Sequence, residues 1–238
     1  GINKGISLLS AATHAVDIKG SLPGPMLVMV DDILAAQTQT KKLIETMSLG
    51  PGTIIKVIAA GEHIKALDFA EKFLAQLQEE KTAFASMLAI GGGTLINLAN
   101  YIAHESTNHN QIPLPYYIVP STILAVADVA YGSKGNLNAT GIKHKVRTYY
   151  DPDAIVFSRD LLETLPDAEI KRGLSECLKH ALLQDYAYPG CGKDWVSFDT
   201  VSYLMQQKRP DHELSDIQAF VTMFAKAQIL QIDKTEKT

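Results

Sequence analysis

Met87-Leu88-Ala89-Ile90-Gly91-Gly92-Gly93-Thr94-Leu95-Ile96-Asn97-Leu98-Ala99 reads as an apolar strand, three glycines, and then a run of helical spacing. Glycines between a strand end and a helix start let backbone approach a phosphate closely, and the helix N-terminus offers it free N–H donors and a positive dipole end. An ordinary strand-to-helix turn can carry the same glycines, so the flanking sequence decides.

Upstream, Met26 to Val30 is a short β-rich run after Pro23-Gly24-Pro25, ending at Asp31-Asp32; Thr53 to Ala60 is a second, closing at Gly61-Glu62. Ala66 to Gln78 has helical apolar spacing, Ser86 to Ile90 is the third strand, and Tyr116 to Val119 the fourth, before Pro120-Ser121-Thr122. Ala154 to Phe157 is the fifth. Strands alternating with helices imply an α/β domain, Rossmann-like, with a mostly parallel sheet covered by helices on both faces. The polar and Gly-rich turns then fall at the carboxyl ends of the strands, where open sheets of this kind bind ligands. After Leu165-Pro166 the pattern becomes helical: Asp167 to Gln184, Ser197 to Gln207 and Ser215 to Ile232. We therefore divide the chain into residues 1–162, a nucleotide-binding α/β domain, and residues 163–238, the partial start of an all-helical domain.

Two stretches carry groups suited to chemistry. Pro120-Ser121-Thr122 leads to Asp128, Gly132-Ser133-Lys134, Asn138 and Lys143-His144-Lys145. These offer a carboxylate for hydroxyls, lysines for phosphate, and hydroxyls and amides for orientation; a solvated loop with scattered charge is the plainer reading. In Gly173-Leu174-Ser175-Glu176-Cys177-Leu178-Lys179-His180, helical spacing puts Glu176, Lys179 and His180 on one face. That face can present a carboxylate to a divalent metal beside a charge-stabilising lysine, or it can be a surface ion pair. Cys177 points elsewhere and belongs to the core. The remaining histidines show no metal-ligand spacing, and the single tryptophan, Trp195, reads as a packing anchor.

Composition removes several classes. A net charge of −4 over 238 residues gives no broad attraction for nucleic acid or an anionic membrane. No apolar run reaches the ~18–20 residues that span a bilayer. Two cysteines, Cys177 and Cys191, are too few for a disulfide framework. The expectation is a cytoplasmic protein with a processed or trimmed start, since the sequence begins at Gly1.

Taken in order, several segments resemble the 3-dehydroquinate synthase family of NAD- and metal-dependent sugar phosphate cyclases. They are Gly61 to Lys65, the triple glycine with Asn97-Leu98, Pro120 through Asp128 to Lys134 and Asn138, Thr164-Leu165-Pro166, Gly173 to Lys179, and Lys226 through Asp233 to Glu236. The resemblance implies that Asp31, Glu62, Lys65, Gly92, Gly93, Thr94, Asn97, Ser121, Thr122, Lys143, Thr164 and Leu165 lie where the family holds NAD. It places Asp128, Lys134, His144, Lys179 and Lys226 where the family holds a small sugar phosphate, and Glu176 at a metal ligand, with zinc or cobalt the expected ion. The implied reaction oxidises a ring carbinol transiently, eliminates phosphate, returns the hydride and closes a carbocycle by an aldol step. A homodimer is also implied. The departures are Asn97 for an aspartate, His144 for an asparagine, and Ile112 where an arginine grips phosphate. Two histidine metal ligands are expected just past Thr238. A polyol or glycerol phosphate dehydrogenase and a non-catalytic nucleotide-binding relative are the alternatives.

Overall fold

Apolar residues at both parities make Met26–Asp31 and Ser86–Gly91 strands buried along their whole length, and Tyr116–Pro120 behaves alike. Strands buried on both faces belong in the interior of a parallel sheet. The computed structural model describes residues 5–9, 24–47, 49–80 and 84–187. Along the chain the elements are β1 (Gly5–Leu9), β2 (Met26–Asp31), α1 (Asp32–Ala35), α2 (Thr38–Thr46), β3 (Ile54–Ile58), a 3₁₀ turn (Glu62–Lys65), α3 (Leu67–Glu79), β4 (Ser86–Gly91) and α4 (Gly93–Asn110). There follow β5 (Tyr116–Pro120), α5 (Ile123–Ala127), α6 (Val129–Gly132), β6 (Lys134–Ala139), β7 (Ile142–Tyr149), β8 (Ala154–Ser158), α7 (Arg159–Glu163) and α8 (Asp167–Ala187).

Six strands form one parallel sheet in the order β1-β8-β5-β4-β2-β3. The chain leaves β2 for β3 on one side and then hops back over β2 to β4. Connections running in opposite directions lie on opposite faces, as right-handed crossovers require. One face packs α3 and α4 on Leu27, Met29, Met87, Ala89, Tyr116 and Ile118; the other packs Leu34, Leu43 and Met47 of the α1–α2 region on Met26, Val28, Leu88, Ile90 and Val119. The topological switch point, where ligands bind in such sheets, therefore lies between the carboxyl ends of β2 and β4.

The stretch after Asp128 is not a solvated loop but the antiparallel hairpin β6–β7, laid along α4. Only Leu137, Val146 and Thr148 turn inward. Four hydrogen bonds hold it there: Asn100 Nδ2 donates to the carbonyls of Ser133 and Tyr150, the Thr148 hydroxyl donates to Asn100 Oδ1, and the Asn136 N–H donates to Asn97 Oδ1. A Cβ at Gly135 would stand 2.4 Å from Thr148 Oγ1 and 2.7 Å from Asn100 Oδ1, so the approach needs glycine.

α8 docks on α5 through Ile123, Ala127, Leu162, Leu174 and Cys177, a small third core. Thus the described part of the helical region packs directly on the α/β region. The helices expected over 197–207 and 215–232, with Lys226, Trp195 and Cys191, lie outside the described residues. Among the described residues no helix is long and apolar enough to cross a membrane.

Candidate functional site

The glycine turn sits at the switch point. Gly92 precedes α4 in extended backbone and no side chain caps the helix, so its first N–H groups face the crevice at the end of β4. Gly92, Gly93 and Thr94 are partly exposed, whereas Leu95 to Ala103 are buried. The three glycines do different jobs. At Gly91 a Cβ would strike Leu95 Cδ2 at 2.5 Å, a packing constraint. At Gly92 and Gly93 a Cβ would meet nothing among the described residues closer than Thr122 Cγ2 at 3.6 Å and Val129 Cγ1 at 3.7 Å, respectively. Among the described residues a Cβ at either position makes only ordinary contacts, so these two glycines are not demanded by packing.

Across the crevice, Asp31 ends β2. Its Oδ1 accepts from Leu34 N–H at 2.8 Å, capping α1, while Oδ2 lies beside Gly91. Burial pushes the Asp31 carboxyl above the usual carboxylate range, against the lowering effect of that hydrogen bond. Next along this edge, the buried Ser121 donates its N–H to the Gly91 carbonyl, and Thr122 caps α5 by accepting from Ala125 N–H at 3.0 Å. Thr164 donates its hydroxyl to the Leu161 carbonyl at 2.8 Å and stands 3.1 Å from Gln37 Oε1, which places it beside the turn between α1 and α2; Leu165 packs in the third core.

The 3₁₀ turn after β3 supplies a second group. Gly61 reaches φ 142°, a conformation open to glycine, to start it. Lys65 is almost wholly buried; its Nζ stands 3.3 Å from His144 Nε2 and 3.8 Å from Glu62 Oε1. Asn138 joins the two elements, donating Nδ2 to Glu62 Oε1 at 3.0 Å and accepting the His144 N–H on Oδ1 at 3.0 Å. His144 has a left-handed backbone, φ 55°. Asparagine and histidine are among the few non-glycine residues enriched there, which is a backbone reason why a histidine can stand where the family resemblance expects an asparagine. Asn138 was legible only as one amide in a polar run; its bridging role depends on the hairpin.

Other expected residues fall less centrally. Lys143 is exposed on β7, and Lys134, exposed on β6, holds its Nζ 6.0 Å from the Tyr149 ring centroid. Asp128 is the exposed residue in an otherwise largely buried stretch. Both ends of the Asn97 amide are engaged by backbone: Nδ2 donates to the Gly93 carbonyl and Oδ1 accepts from Asn136 N–H, each at 2.6 Å. Asn97 therefore fastens the glycine turn to the hairpin. Ile112 is 69% exposed beyond the C-terminal end of α4. Eighteen helical residues set it about 27 Å from the glycine turn at 1.5 Å per residue, so it lies outside the cluster gathered at this edge.

On α8, Lys179 donates to Glu176, an ion pair one turn apart. Cys177 on the adjoining face is buried, which pushes its thiol up to about 12. Gly173 lets α8 approach α5, since a Cβ there would stand 2.5 Å from Ile123 Cβ and 2.7 Å from Leu124 N. Among the described residues no group of three His, Cys, Asp or Glu side chains could hold a metal ion.

The family model for the N-terminal region of 3-dehydroquinate synthase matches residues 55–172. The 3-dehydroquinate synthase of Chlamydia trachomatis serovar L2 is 28% identical over 245 residues, covering 97% of this chain and 64% of that protein. The chain thus spans just under two thirds of that relative's length. In fold it is similar to ValA, the 2-epi-5-epi-valiolone synthase of Streptomyces hygroscopicus subsp. jinggangensis, solved with NAD+ and Zn2+ (TM-score 0.66, 19% identity, 97% of this chain and 61% of that one). It is equally similar to the NADH-dependent butanol dehydrogenase A of Thermotoga maritima (TM-score 0.67, 13% identity, 96% and 62%). The fold is thus shared between cyclases and dehydrogenases, but in sequence the family model and the curated relative fall on one side: the chain is similar to the 3-dehydroquinate synthase family.

Proposed function

We propose that this chain carries the dinucleotide-binding region and part of the substrate site of an NAD-dependent sugar phosphate cyclase. One juxtaposition carries the reading. The uncapped α4 N-terminus and the partly exposed glycines face Asp31 across the switch point, and the cationic Lys65–His144 pair stands on the next turn of the same edge. Glycine backbone and helix N–H groups suit a diphosphate, and a buried carboxylate accepts hydroxyl donors. NAD, when bound, accepts a hydride and returns it.

The chain's own residues bind and orient. Gly92 and Gly93 admit the diphosphate, and Asn97 fixes how far the hairpin stands from it. Lys65 and His144 offer donors to an anionic oxygen, with Lys134 and Lys143 adding positive charge along the hairpin. Lys179 offers a further cation on α8, and in this reading it receives negative charge that develops on the substrate. Glu176 is a single carboxylate already paired with Lys179. A catalytic zinc takes about three protein ligands, so the described residues alone do not complete a metal site.

The test is to incubate the chain with NAD+ and a panel of heptulose and hexose phosphates, following inorganic phosphate and NADH absorbance together. A cyclase releases phosphate with no net NADH. Stoichiometric NADH would select the dehydrogenase reading, and NAD+ uptake with neither product would select a binding-only relative.

A further inference from the structure

Lys65 and His144 make an arrangement with a consequence for protons. The Lys65 side chain is nearly buried, and its ammonium carries three N–H donors with no lone pair. Burial of such a charge is costly unless it is paired. The Glu62 Oε1 carboxylate oxygen is 3.8 Å away and already accepts from Asn138, while His144 Nε2 is at 3.3 Å. A nitrogen that faces an ammonium at this distance must offer its lone pair. The contact therefore requires neutral His144, with any ring proton on Nδ1. An imidazolium there would set two cations against each other unless an anion came between them.

His144 is held in place for this role. Its left-handed backbone is fixed by its own N–H donating to Asn138, and Asn138 is in turn tied to Glu62. The charged neighbours are Glu62 and Lys65 on the 3₁₀ turn and Lys143 and Lys145 on either side of His144 on β7. Lys145 is turned back onto the Thr140 hydroxyl. His63, on the same 3₁₀ turn, is packed edge-on against Phe69.

We infer that a phosphoryl anion docking at the Lys65–His144 pair is bound together with one proton, taken up from solvent by His144. The inference rests on the reading above in taking the ligand to be a phosphoryl group. The empty pair is Lys65 donating to neutral His144; the filled pair is an ammonium and an imidazolium both donating to the anion's oxygens. The proton goes from buffer to His144, and no covalent bond changes. Affinity must then fall as pH rises above the histidine range, by up to about tenfold per pH unit for one linked proton.

Inorganic sulfate is the probe, because it does not titrate near neutrality. Calorimetric titration of the full chain at pH 7.5, in two buffers of different ionisation enthalpy, gives the proton count directly. The expected result is net proton uptake on sulfate binding, with affinity weakening from pH 7 to 8 by at most about tenfold. His144→Asn should still fold and bind sulfate, with uptake near zero; His63 is unchanged in that variant, so the difference isolates His144. Parallel titrations with NAD+ alone, and with a hexose phosphate at saturating NAD+, show which phosphoryl group occupies the pair. No uptake in the parent chain, the same uptake in His144→Asn, or no sulfate binding would each overturn the inference. These results are separable from the cyclase reading: NAD-dependent phosphate release without linked proton uptake leaves that reading standing, and linked uptake without phosphate release does the reverse.

Discussion

Replacing Gly173 by alanine should loosen the joint between α8 and α5. The added methyl would lie 2.5 Å from Ile123 Cβ, 2.7 Å from Ile123 Cγ2 and 2.7 Å from the Leu124 nitrogen. Two of these atoms are Cβ or backbone, so no rotamer change relieves them, and the helices must separate by roughly an ångström. Overpacking of this kind costs about 1–3 kcal/mol. Removing a glycine from a helix interior returns about 1 kcal/mol. The net is a loss of up to about 2 kcal/mol, which for a unit of this size lowers the midpoint by up to about 8 °C. Calorimetry measures the midpoint. A second readout is the Cys177 thiol, buried in the same joint and held up to about 12, which should react with a thiol reagent faster in the variant. An unchanged or raised midpoint with unchanged thiol reactivity would refute the close contact, because helix propensity would then be the only effect left.

Asn97→Leu should cost about 1–3 kcal/mol in urea unfolding, since the Asn136 N–H and the Gly93 carbonyl lose a buried partner; a smaller loss would mean that water replaces the amide. Asp31→Asn should stabilise the protein at neutral pH. The sign follows from burial: a carboxyl whose folded-state pKa is raised favours folding when protonated, and that advantage is lost as pH rises through the carboxylate range. The gain in the variant should therefore shrink as pH is lowered towards 4, as read from midpoints across pH, while its NAD+ affinity falls in line with a ligand-facing role for Oδ2.

The parallel core was legible because β2, β4 and β5 are apolar at both parities, and the glycine turn because it interrupts an apolar run at the change of period. The hairpin was not. Lys134–Ala139 and Ile142–Tyr149 bury little beyond Leu137, Val146 and Thr148, and their cohesion comes from side-chain amides on α4 rather than from an apolar face. Nor could spacing show that Gly92 tolerates a Cβ while Gly91 is crowded by Leu95, or that Asn97 is spent on backbone. Such facts depend on which surfaces meet. Helix length alone separates Ile112 from the glycine turn, a geometric consequence available once α4 was known to run unbroken from Gly93 to Asn110.

Titration of the chain with NAD+, alongside Gly92→Ala, tests the central claim most directly. A Cβ at Gly92 makes only ordinary contacts among the described residues, so the variant should keep its thermal midpoint. If a dinucleotide lies over this turn, the parent chain binds one NAD+ saturably, and the variant binds it at least about tenfold more weakly, a difference of about 1.4 kcal/mol. Equal affinity in the two proteins, or no saturable binding in the parent, would contradict the account.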